Sequence, residues 1–83
     1  MKLTSILQPL DFFDEANKFV FQGCFGESLD YFIKEKRNYL SLIQNETLAF
    51  HFIMRYVDSI GLKLLGKPKF SDSVQIRIES RYN

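Results

Sequence analysis

The stretch SDSVQIRIESRYN, Ser71 to Asn83, decides how the fold is read. Val74, Ile76 and Ile78 alternate with Gln75, Arg77 and Glu79, and a period of two is the signature of a half-buried strand, which Tyr82 would extend. Leu62, Leu64 and Leu65, just before Gly66, offer a partner strand, with Lys67, Pro68, Lys69, Phe70, Ser71 and Asp72 in the connecting loop. The chain is therefore expected to end in a β-hairpin.

Immediately before it, NETLAFHFIMRYVDSIG, Asn45 to Gly61, reads as a helix capped by Asn45, running to about Ser59 and stopping at Gly61. On a helical wheel Leu48, Ala49, Phe52, Ile53, Tyr56, Val57 and Ile60 form the core arc. Phe50 and Met54 widen the apolar surface to about two thirds of the circumference, leaving Thr47, His51, Arg55 and Asp58 as a narrow polar stripe. Such a helix is either central to a fold or covered by a second molecule. A chain of 83 residues can hardly surround it, so self-association or a protein partner is expected.

Further upstream, Leu29, Phe32, Ile33, Leu40 and Ile43 share one arc behind a suitable N-cap, Ser28, with Lys36 in the middle of the stripe. The rival reading of this region is a hairpin, Tyr31 to Lys34 with Tyr39 to Ile43. Phe12, Phe13, Ala16, Phe19 and Val20 recur at helical spacing after Pro9, which predicts a first helix from about Pro9 to Lys18, with Phe19 to Phe21 able to begin a short strand. The expected fold is α+β: about three helices followed by a C-terminal β-hairpin, in one small domain spanning 1–83.

Composition bounds the function. With 46% hydrophobic residues and a net charge of only +1, the 9.8 kDa chain has the composition of a folded domain rather than a disordered one. Its single cysteine, Cys24, cannot form an intramolecular disulfide, which fits a reducing compartment, and the cytoplasm is the expected location. Thr4, Ser5, Gln8, Pro9 and Asp11 interrupt any signal-like apolar region, and no apolar run approaches the roughly 20 residues that cross a bilayer, so no membrane partner is expected. Abundant Phe, Tyr, Ile, Asn and Lys, with little Gly, Ala, Arg or Pro, is the usage of an AT-rich coding sequence, as in a low-GC bacterium, a phage or a plasmid.

Candidate chemistry is sparse. Cys24 lies between Gly23 and Gly26 before a helix start, where a thiol pKa can fall, and His51 could serve as its base; the plainer reading is a small semi-buried hydrophobe. One cysteine and one histidine cannot build a structural zinc site. His51 with Met54 could approach a haem, but a surface histidine beside Arg55 and Asp58 is ordinarily a hydrogen-bonded polar residue. Neither a glycine-rich phosphate loop nor a paired acid and base stands out. No enzymatic activity, cofactor or metal is expected.

Charge runs from −3 over residues 1–30 to +3 over residues 61–83. The order of three helices and a basic hairpin resembles a winged-helix DNA-binding domain, a resemblance of element order without a sequence motif. It implies that the third helix enters the major groove and that Lys67 and Lys69 touch phosphate from the wing, with Lys63 and Arg77 completing the basic set. Against it, the third helix offers base edges only His51 and Arg55, and the pI of 7.8 lies below the value of about 9 that marks a basic footprint. The leading expectation is a small non-enzymatic protein-interaction module, such as a regulator, inhibitor or accessory subunit, forming a homo-oligomer or binding a protein partner. Aromatic residues and arginine dominate binding hot spots, which points to Phe50, Met54, His51 and Arg55, then to Arg81 and Tyr82 at the C-terminal end.

Overall fold

The computed structural model describes residues 7–21 and 26–82, with Tyr82 as backbone alone. Four helices follow one another: α1 (Pro9–Phe21), α2 (Glu27–Ser41), α3 (Glu46–Leu65) and α4 (Phe70–Tyr82). There is no strand among the described residues, so the fold is all-α there and the expected C-terminal β-hairpin is replaced by a helix.

The physical reason lies in the spacing. Phe70, Val74 and Ile78 are buried, while Ile76 between the last two is two-thirds exposed. Three residues four apart make a ridge along one side of a helix. The alternation at 74, 76 and 78 arises because a solvent-facing Ile76 falls between two members of that ridge. The proposed partner strand is absent as well, since Leu62, Leu64 and Leu65 are the last turn of α3, and all three are exposed.

Helix α3 extends past the glycine expected to stop it. Asn45 caps its start as anticipated, its Oδ1 accepting from the Leu48 amide at 2.8 Å. Its end is Gly66, in the left-handed region at φ 64, where the Gly66 and Lys67 amides donate to the carbonyls of Leu62 and Gly61. Gly61 is instead an internal crossing point: a Cβ there would collide with Cβ of Phe70 and lie 2.8 Å from its Cγ. The missing side chain lets the first residue of α4 lie directly on α3. Asp58, one turn earlier, accepts from the Ser71 amide at 2.9 Å through Oδ1, so α3 satisfies an amide that α4 cannot pair internally.

Pro9 at the first helical position starts α1, and Phe12, Phe13, Ala16, Asn17 and Phe21 form its buried side. The helix continues through Phe19 and Val20 rather than turning into a strand. Region 27–41 is a helix and not a hairpin, although its cap is Gly26 rather than Ser28, and Leu40 is its single buried residue. One core joins Phe12, Phe13 and Ala16 of α1, Leu40 of α2, Ile53, Tyr56 and Val57 of α3, and Val74 and Ile78 of α4. Helix α3 packs chiefly against α1 and α4, and α2 lies over it more loosely. That loose seam positions the candidate site.

Candidate functional site

Between α2 and α3 runs an open groove of about 360 Å³, continuous with a depression of about 370 Å³. Its floor is aromatic: Phe32 and Tyr39 from α2, Phe52 and Tyr56 from α3. Phe32, Tyr39 and Phe52 are 45%, 54% and 36% exposed, whereas Tyr56 is buried. The Phe32 ring stacks on that of Tyr56 with centroids 6.2 Å apart, and Tyr56 in turn meets Phe13 at 5.2 Å. A ladder of rings thus leads from Phe13 in the core through Tyr56 to Phe32 at the surface, which holds the Phe32 ring in place.

The rim is cationic. Lys36, Arg55 and Lys63 line the groove, and none of them has an ion-pair partner among the described residues. The Lys36 ammonium sits 5.7 Å from the Tyr39 centroid and 6.0 Å from that of Tyr56. Its place in the middle of the α2 apolar stripe is therefore a cation held over rings. Burial pushes the Tyr56 hydroxyl up to about 12, and that hydroxyl donates to Asn17 Oδ1 at 2.9 Å. Tyr56 is neutral at physiological pH, and its hydroxyl is engaged by α1.

The residues singled out from sequence scatter over several environments. Phe50 is buried, edge-on to Phe12 at 6.0 Å, so it contributes to the core rather than to an outer surface. Met54 is half-buried against that core. His51 is exposed and touches the ring of Phe52 edge-on at 5.7 Å. Arg55 is in the groove. Arg81 pairs with Glu15 at 2.7 Å and lies 5.3 Å from the Phe19 centroid, clamping α4 to α1. The side chain of Tyr82 lies outside the described residues, as does Cys24, so the Cys24 and His51 pairing falls outside them too.

The basic set disperses likewise. Lys63 joins the groove, Arg77 lies 5.6 Å from the Phe19 centroid, and Lys67 and Lys69 are exposed in the short α3–α4 turn. With no hairpin among the described residues there is no wing there, so the element order that suggested a winged helix does not hold. Among the described residues no group of three or more His, Cys, Asp and Glu side chains could hold a metal ion, and no helix is long and apolar enough to cross a membrane.

Of the expected residues, the groove collects Arg55 and Lys63. Sequence reasoning missed Phe32, Tyr39 and Phe52 as surface residues, two of them because they fell on presumed core arcs. The available signal was Lys36: a lysine amid Leu29, Phe32, Ile33 and Leu40 marks a stripe that is not wholly interior. Comparison of the chain with protein-family models, with characterised proteins and with solved structures finds no match.

Proposed function

We propose that the chain is a small non-enzymatic protein-interaction module, with the α2–α3 groove as its docking surface. One observation carries this reading. Phe32, Tyr39 and Phe52 stay exposed side by side although a core is available, and they are flanked by cations that have no ion-pair partner among the described residues. Scattered single apolar residues on a surface are ordinary, but contiguous aromatic rings with arginine nearby have the composition of a binding hot spot. The single Cys24 suits work in a reducing compartment such as the cytoplasm.

The reading is tested by photo-crosslinking in the native cell. Benzoylphenylalanine placed at Tyr39 is expected to yield a discrete protein adduct, while the same probe at Ser73, exposed on α4, yields none. Equal adducts at both positions, or none at Tyr39, would sink the proposal.

A further inference from the structure

We infer that the occupant of this groove is an acidic amphipathic helix of a partner protein, an inference that rests on the interaction reading above and names the chemistry of what docks. The argument is charge complementarity. Every ion pair among the described residues involves Asp14 or Glu15 of α1, which neutralise Lys18, Arg37 and Arg81. Lys36, Arg55 and Lys63 have no such partner and lie along one groove, with Glu35 the acid at its edge. The fold thus leaves its unneutralised groove cations beside its exposed rings.

The geometry favours a helix. From Phe52 to Lys63, α3 advances about 16 Å, or roughly three turns, which matches an antiparallel or parallel helix of about eleven residues presenting anchors at i, i+4 and i+7. Lys36 is held over Tyr39 and Tyr56, so an arriving carboxylate meets a charge already positioned and partly shielded from water. A single-stranded nucleic acid also uses rings and cations, but it needs a basic track along its backbone. Here Glu35 breaks the track, and a net charge of +1 supplies little long-range field.

The test is a selection from a displayed library of random helical peptides, panned against the intact chain. Selected peptides are then resynthesised and titrated by fluorescence anisotropy, with oligo(dT) titrated in parallel and light scattering run at low and high protein concentration. The expected winners carry Asp or Glu flanking apolar residues spaced i, i+4 and i+7, and bind about tenfold or more weakly to the Arg55→Glu, Lys63→Glu double variant. Binding should also be lost with Phe52→Asp; should circular dichroism show that variant unfolded, Tyr39→Ala, at a more exposed position, replaces it. Winners with no acidic bias that still depend on Phe52 overturn the acidic occupant and leave the groove reading standing. Winners indifferent to all these variants, or no winners, overturn both. Tighter binding of oligo(dT), or a concentration-dependent dimer that excludes the peptides, overturns the inference in favour of that other occupant.

Discussion

The Tyr56 hydroxyl donates to Oδ1 of Asn17 across 2.9 Å, and the same Asn17 donates through Nδ2 to the Phe13 carbonyl one turn earlier in α1. Both side chains are buried, so the pair fixes the register of α3 against α1 with its polar atoms satisfied. Replacing Asn17 by Ala strands the hydroxyl and should cost about 1–3 kcal/mol, while Tyr56→Phe alone should cost about 1 kcal/mol. Urea denaturation of both single variants and the double variant should give a coupling of about 1 kcal/mol. Strictly additive losses would mean that the bond contributes nothing to the packing of α1 on α3.

The same burial makes stability sensitive to alkali. The folded-state pKa of Tyr56 is raised to about 12 by desolvation, against 10.0 ordinarily, so the unfolded chain loses this proton first as pH rises. The contribution is fully present below about pH 10 and is lost between about pH 10 and 12, amounting to roughly 2 kcal/mol. Thermal melts across that range should show a steeper decline for the parent than for Tyr56→Phe. Parallel declines would show that Tyr56 ionises as readily folded as unfolded.

How far the sequence could be read follows from the same elements. The Asn45 cap and the burial of Ile53, Tyr56 and Val57 were visible because cap chemistry and a long periodic stripe act locally. The state of residues 70–82 was not, because Val74, Ile76 and Ile78 satisfy a two-residue period while only Val74 and Ile78 find a core. Gly61 misled for a related reason: a glycine near a helix end resembles a stop, and only the position of Phe70 reveals a crossing. The groove was hidden because a wheel counts apolar residues without saying which neighbour covers them. Phe32 and Phe52 look like core until α2 proves to lie loosely on α3.

Helix and strand make opposite demands on Ile76. In a half-buried strand Ile76 and Ile78 would face the same core, but in α4 they diverge. Ile78→Ala should destabilise by about 2–4 kcal/mol, whereas Ile76→Ser should stay within about 0.5 kcal/mol of the parent. Comparable losses measured by denaturant titration would contradict the helix.

At Gly61, propensity and packing oppose each other. Alanine in a helix interior ordinarily gains about 1 kcal/mol over glycine. Here its Cβ would run into Phe70 at the start of α4, so Gly61→Ala should be net destabilising by about 1–2 kcal/mol as α4 is pushed away. Adding Phe70→Ala should relieve the collision, making the Gly61→Ala change neutral or favourable in that background. If Gly61→Ala stabilises the parent chain, the close crossing of α3 and α4 is not there.

Glu15 joins two cations on two helices, meeting Lys18 at 3.2 Å within α1 and Arg81 of α4 at 2.7 Å. Burial pushes its carboxyl up, but hydrogen bonds and attraction from Lys18 and Arg81 outweigh this and hold it below the ordinary 4.5. With the folded pKa depressed, the unfolded chain takes up the proton first as pH falls. The stabilisation is therefore complete above the ordinary glutamate range and disappears as pH drops through the folded value. Both cations are at least half exposed, so the pair should contribute no more than about 1 kcal/mol and weaken with salt. Glu15→Gln should lower the urea midpoint near neutrality and converge with the parent at strongly acid pH, and Arg81→Gln should reproduce much of that convergence. A deficit that is the same at neutral and acid pH would instead assign the loss to packing around Glu15, and the charge clamp between α1 and α4 would be discarded.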